Sequence, residues 1–142
     1  GVERKRRVVQ ISEITKTGWT QSPDPDKVFQ DTMVYDAAND QLKSTDLLDM
    51  GQSQIIENIS KKWGISVEKA LQNIRLRAEI KKTIVKKAEE KPILLEAEAN
   101  RDANNAFWMF LEESKRRDKN VNYNNVRNNW KKWFDKYIES IK

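Results

Sequence analysis

Apolar positions in the first third of the chain form short runs, and later they recur at helical spacing. Residues 8–14 and 28–35 are rich in β-branched and aromatic residues, and turn-forming residues follow each run, so both predict short strands. The sequence DAAND at 36–40 predicts a turn, after which Leu42 can begin a third strand. We therefore expect a small antiparallel β-element over residues 1–43, with a surface loop at 18–26.

From Ser44 onward the pattern changes to that of helices. Ser44 is expected to cap a short turn that reaches Met50, and Ser53 to cap a helix that Gly64 ends. The apolar side of this helix is Ile55, Ile56, Ile59 and Trp63. Ser66 should cap a longer helix, whose predicted apolar stripe is Val67, Ala70, Leu71, Ile74, Ala78, Val85 and Ala88.

Two further helices are predicted after a break at Pro92. The first has the stripe Leu95, Ala99, Ala103, Ala106, Phe107, Phe110 and Leu111. Residues 120–129 contain six asparagines and predict a connection. The last helix has the stripe Val126, Trp130, Trp133, Phe134, Tyr137, Ile138 and Ile141. The fold class is thus α+β, mainly helical: a β-element followed by about four helices over residues 44–142.

Composition removes most catalytic chemistry. The chain has no cysteine and no histidine, which excludes thiolate and imidazole sites, and its four glycines are isolated, so no phosphate-binding loop is present. Seven aspartates could in principle gather around Mg²⁺ or Ca²⁺, but they lack the spacing of an EF-hand: Asp24, Asp26, Asp31, Asp36, Asp40, Asp46 and Asp49. We therefore predict no catalytic, cofactor-binding or metal-binding residue and no cofactor for this chain.

The charges are unevenly distributed along the chain. Residues 24–57 carry two basic and eight acidic side chains, whereas 115–142 carry nine basic and three acidic ones. The cluster Arg4–Arg7 predicts a solvated or partner-facing patch, with phosphate contact as the sharper alternative. The basic, aromatic last helix is interpreted as core because of its spacing; contact with an anionic membrane or single-stranded nucleic acid stays the alternative. The longest apolar run, Ala106–Leu111, is too short to span a membrane.

Three phrases together resemble the C-terminal end of the archaeal type II and type IV secretion ATPases, the motors of archaeal pili and archaella. The first is RKRRVVQISEI at 4–14, the second is KVFQDTMVYDAANDQL at 27–42, and the third runs from Gln54 to Val85. The family's arginine-rich strand is matched by Arg6, Arg7, Val8, Ile11, Glu13 and Ile14, and its helical stretch by Ile59, Trp63, Gly64, Ser66, Glu68, Ile74, Arg77 and Ile80. The family's nucleotide-binding motifs would lie before Gly1.

The resemblance implies a non-catalytic piece of a ring-forming ATPase, in which residues 1–43 form the distal edge of a RecA-like domain. ATP and Mg²⁺ would be bound by the parent protein. The implied partners are the upstream RecA-like core, neighbouring subunits of a hexameric ring and a membrane platform protein, at the cytoplasmic face of the cell membrane. The candidate interface residues are Arg6, Arg7, Arg77, Trp130, Lys131 and Lys132. The alternative is a small basic helical module that binds nucleic acid; nucleic acid is not expected in the leading interpretation.

Overall fold

The computed structural model describes residues 4–16 and 24–141. Along the chain the elements are β1 (Gln10–Ile14), α1 (Pro25–Val28), β2 (Phe29–Asp36), β3 (Gln41–Ser44), α2 (Asp46–Asp49), α3 (Gln54–Trp63), α4 (Val67–Ala88), a 3-10 turn (Pro92–Leu95), α5 (Ala97–Arg117) and α6 (Tyr123–Ser140). The prediction of a mainly helical α+β fold with an N-terminal antiparallel sheet is confirmed.

The chain divides into two compact units, residues 1–71 and 72–142, which we call the first and second unit. The boundary predicted after residue 43 lies inside the first unit, because α2 and α3 stay with the sheet. Among the described residues of the loop predicted at 18–26, Pro25 and Asp26 lie in α1. The Asp24 carboxylate caps the first turn of this helix by accepting from the Asp26 N–H at 3.1 Å. Residues 18–23 lie outside the described residues.

The sheet of the first unit has the order β1-β2-β3, and both strand pairs are antiparallel. A bulge interrupts the pairing of β1 with β2: Ile11 lies opposite Met33 and Ser12 opposite Asp31, which leaves Thr32 as an extra residue on β2. The Thr32 hydroxyl donates to the Ile11 carbonyl at 3.0 Å. The bulge puts Gln30 and Met33 on the same side of the sheet although they are three positions apart in sequence.

Helices α2 and α3 follow the sheet. Ser44 ends β3 and does not cap α2; Thr45 takes that position, one residue later than predicted. The predicted cap and stop of α3 are confirmed, because Ser53 Oγ accepts from the Ile56 N–H at 3.3 Å and Gly64 has φ +64°, which a residue without a Cβ adopts easily. Of the predicted apolar side only Ile56 is buried, against Ala70 and Leu71; the exposed members are Ile55, Ile59 and Trp63.

Helix α4 differs most from its predicted stripe. Ala70, Leu71 and Ala88 are buried as expected, but Ile74, Ala78 and Val85 are exposed, and a different row is buried in the second unit: Leu76, Ile80 and Ile84. The helix is apolar on two sides, and the periodicity joined residues of both sides into one stripe. Ser66 caps the helix as predicted, since its Oγ accepts from the Lys69 N–H at 3.2 Å.

The second unit packs α4 with α5 and α6. The break at Pro92 is a 3-10 turn, and its tighter winding buries Leu94 and exposes Leu95, the reverse of the prediction. The α5 stripe is otherwise confirmed, with Phe110 partly buried. The α6 stripe is confirmed throughout, with Val126, Trp130 and Phe134 buried and the rest packed against the same core. Residues 123–129 are helical, contrary to the predicted connection, because the asparagine that acts locally is Asn122: its side chain caps α6 by accepting from the Asn125 N–H at 3.1 Å.

Candidate interaction surface

Strand β1 lies at an edge of the sheet, and alternate residues direct their backbone groups away from β2. The Val9 carbonyl accepts from the Tyr35 N–H, and the Thr15 N–H donates to the Val28 carbonyl, both at 2.8 Å. Residues that hydrogen-bond to the partner strand alternate along an antiparallel pair. The backbone N–H and C=O groups of Gln10, Ser12 and Ile14, which lie between these two contacts, therefore point away from β2. We call this outward side of β1 the open edge. Its backbone groups are arranged to accept another strand.

Large apolar side chains accompany the open edge. Val9 is 60% exposed and Ile14 64% exposed, and Val8 and Ile11 are also exposed. Ile14 lies opposite Phe29 on one face of the sheet, and that pair is exposed on both strands. A cluster of exposed β-branched and aromatic residues on an edge strand is typical of a surface that another chain or domain covers.

A polar cluster lies on the same face as Ile14 and Phe29. The Asp31 carboxylate accepts hydrogen bonds from the Ser12 hydroxyl and the Gln10 amide, each at 2.6 Å. These two hydrogen bonds, first that of Ser12 and then that of Gln10, lower the pKa of Asp31. The cluster links β1 to β2 through side chains and keeps the charged form of Asp31.

The turn between β2 and β3 holds Arg7 in a fixed position. The Arg7 guanidinium binds the Asp40 carboxylate with both Nε and Nη2, at 2.6 and 2.8 Å, and the Tyr35 hydroxyl donates to the same carboxylate at 2.8 Å. Asp40 has φ +49°, a conformation that aspartate tolerates in turns. The hydrogen bond from Arg7 is the main reason that the pKa of Asp40 is lowered, and the same contact raises the pKa of Arg7.

On the face of the sheet opposite Ile14, a buried carboxylate anchors β1. Glu13 is 3% exposed, and its two oxygens accept from the Ser53 hydroxyl at 2.5 Å and from the Gln54 N–H at 2.8 Å. A carboxylate at the N-terminus of a helix satisfies N–H groups that have no partner within the helix and interacts favourably with the helix dipole. Glu13 therefore connects β1 to the N-terminus of α3 and fixes the position of the strand that forms the open edge.

Two of the predicted interface residues lie in the first unit. Arg6 is exposed, and its carbonyl accepts from the Arg7 side chain at 3.2 Å. Arg7 is engaged by Asp40, so its charge is already compensated within the unit. Both arginines are exposed and accessible to a partner.

The other four predicted residues lie in the second unit and do not form one site. Arg77 lies over the Trp108 ring at 5.7 Å, and Lys131 pairs with Glu79 at 3.2 Å. Lys132 is exposed on α6. Trp130 is a core residue and not a surface residue: it is 1% exposed, its Nε1 donates to the Ala103 carbonyl at 3.0 Å, and its ring stacks on Phe134 at 4.7 Å.

Sequence reasoning missed three acidic residues that organise these contacts. Glu13 could have been found as a charged residue at an inward position of a predicted strand, and Asp40 as the last residue of a predicted turn. Glu79 accepts from Arg127 at 2.9 Å and from Lys131, and nothing in the local pattern marks it. Burial tends to raise the pKa of Glu79, but the hydrogen bonds from Arg127 and Lys131 outweigh burial and lower it.

Within residues 4–16 and 24–141 no three carboxylates lie close enough together to hold a metal ion. None of the helices in the described part of the chain has the length and apolar character needed to cross a membrane. Compared with protein-family models, curated proteins and solved structures, the chain shows no match.

Proposed function

We propose that this chain is a non-catalytic C-terminal portion of a ring-forming secretion or pilus-assembly ATPase, in which it provides contacts that couple ATP hydrolysis to filament assembly or secretion. In this proposal ATP and Mg²⁺ are bound upstream in the parent polypeptide. The contacts are made to the RecA-like core, to neighbouring subunits of a hexamer and to a membrane platform protein, at the cytoplasmic face of the cell membrane.

The observation that carries the proposal is the open edge of β1. The strand whose sequence resembles the arginine-rich strand of the family is an edge strand that contains the exposed Ile11 and Ile14, and the exposed Val8 and Val9 directly precede it. A strand of this kind exposes hydrogen-bonding groups and apolar area that an isolated protein normally protects. Addition of β1 to the edge of an upstream sheet would cover both.

Hydrogen exchange tests the covering of the open edge. In the parent polypeptide the outward amides of Gln10, Ser12 and Ile14 should exchange at least about 10-fold more slowly than in this chain alone, because a neighbouring strand accepts from them. The inward amide of Thr15, which already donates to Val28, serves as the internal control and should change less. Equal exchange of the outward amides in both proteins would contradict the proposal.

A nucleotide titration tests the non-catalytic part. The chain alone should neither bind nor hydrolyse ATP, because it has no phosphate-binding loop. The parent polypeptide, assayed in parallel, should do both. Robust ATPase activity of this chain alone would refute the proposal.

The alternative function, a basic module that binds nucleic acid, has one observation in its favour. Arg127 and Lys131 on α6 lie side by side at Glu79, and further cations lie on α4. Against it, Trp130 and Phe134 are buried, so these rings of the last helix are not available for base stacking. Binding of a single-stranded oligonucleotide that weakens steeply with salt would favour this alternative.

A further inference from the structure

The outward face of α4 in the second unit is an apolar seam that no other described element of that unit covers. Ile74 and Val85 are large and exposed, and Ala78 between them is exposed as well. On a helix these three residues lie within a narrow sector of one face.

The seam has the spacing of a helix-packing surface. Ile74, Ala78, Lys81 and Val85 follow one another at intervals of four, three and four residues, the spacing of the a and d positions of a heptad repeat. The small side chain of Ala78 allows a second helix to approach closely. One member of the repeat, Lys81, is charged and exposed, so the seam does not belong to the interior of this unit.

Cations flank the seam on both sides. Arg75, Lys82 and Lys86 lie on one side of the apolar row, and Lys81 lies at its other border; all four are exposed. An exposed acidic residue, Glu89, directly follows the end of α4. The face is therefore complementary to a helix that carries acidic residues beside an apolar stripe.

These observations decide between possible occupants. A second copy of α4 would bring Lys81 and Lys82 against their own counterparts, which like-charge repulsion disfavours. An anionic membrane would require bulky or aromatic side chains on the apolar side, whereas this seam consists of an isoleucine, an alanine and a valine. Phosphates of a nucleic acid would use the cations but leave the apolar row without a role.

We propose that the outward face of α4, with Ile74, Ala78 and Val85 as its seam and Lys81 and Lys82 beside it, binds an acidic amphipathic helix of another protein. This face belongs to α4 alone, and its binding is independent of the proposed function. In that setting it would give the second unit a docking surface separate from the open edge of β1.

The test uses a fluorescently labelled synthetic peptide of three heptads with leucine at a and d and glutamate at e and g, and its anisotropy on addition of the full chain. Lys81→Glu/Lys82→Glu should weaken binding by about 10-fold or more, because two attractive contacts become repulsive. Lys119→Glu/Lys136→Glu makes the same change in net charge at exposed positions outside α4 and should alter affinity by less than about 2-fold.

A second pair of measurements examines the seam and the other occupants. Ile74→Asn/Val85→Asn should also weaken peptide binding, and its circular dichroism spectrum should stay unchanged because both residues are exposed. Three results with the peptide would overturn the proposal: no binding at low salt, equal losses in the two charge variants, or full binding by the asparagine variant. A fourth would be a preference of the chain for vesicles with about 30% phosphatidylserine or for single-stranded DNA over the peptide, if the Lys81→Glu/Lys82→Glu variant alone abolishes that binding.

Discussion

Replacement of Trp130 by alanine should destabilise the second unit by about 3–5 kcal/mol, the usual cost of truncating a large aromatic side chain in a core. The indole is 1% exposed and lies against Phe134 at 4.7 Å and Trp133 at 6.1 Å, so its removal leaves a cavity bordered by two other rings. It also removes the hydrogen bond from Nε1 to the Ala103 carbonyl. Both losses act on the contact between α5 and α6.

The effect is large enough to measure by urea denaturation followed by circular dichroism. With a slope of about 1.5 kcal/mol per molar urea, the midpoint should fall by about 2–3 M. Trp130→Phe should cost clearly less, because it keeps an aromatic ring at this position and loses the indole N–H with its hydrogen bond, worth about 1–2 kcal/mol.

Trp63→Ala is the matched control. It removes the same side chain from α3, where the ring is 58% exposed, and should change the free energy of unfolding by less than about 0.5 kcal/mol. If Trp130→Ala and Trp63→Ala cost the same, the assignment of Trp130 to the core is refuted.

Two further predictions concern the first unit. Glu13→Ala should lower the free energy of unfolding by about 2–3 kcal/mol, because it removes the acceptor of the Ser53 hydroxyl and the Gln54 N–H. Glu57→Ala on the exposed side of α3 is the control and should lower it by less than about 0.5 kcal/mol. Equal free energies of unfolding for the two variants, measured by denaturation, would contradict the anchoring role of Glu13. Hydrogen bonds from Lys43, and next from Asn39, lower the pKa of Asp36 from 3.8 to about 2. The stabilisation by ionised Asp36 should therefore be complete above its unperturbed pKa and be lost as the pH falls from about 4 to about 2. A carboxyl NMR titration of Asp36 should give a midpoint near the lower value, and Lys43→Ala should move it towards 3.8; an unchanged midpoint would show that Lys43 is not the cause.

Helices that depend on a local signal could be predicted from the sequence. Ser53 and Gly64 bound α3 because a side-chain oxygen and a left-handed glycine act within one turn. The α6 stripe was correct because one side of that helix is apolar and the other carries Lys132 and Lys136. In such elements neighbouring residues decide the structure, and the pattern contains the necessary information.

Features that depend on distant residues could not be predicted. Helix α4 has apolar residues on two sides, and only packing with α5 and α6 decides that Leu76 and Ile84 are buried while Ile74 and Val85 are not. The grouping of Arg7 with Asp40 joins residues 33 positions apart, and that of Arg127 with Glu79 joins residues 48 apart. The sequence therefore indicated which residues belong to the candidate interface, but only the fold shows which contacts those residues make.

The extra residue at Thr32 determines which residues of β2 lie on each face of the sheet. Before it, Gln30 points to the side of the sheet that carries Glu13; after it, Met33 and Tyr35 point to that same side, so the alternation of β2 restarts in the middle of the strand. Loss of one residue here would leave a continuous ladder but turn Gln30 to the opposite side. The spacer thus lets a single strand serve two surfaces of different character, one facing α3 and one facing outward.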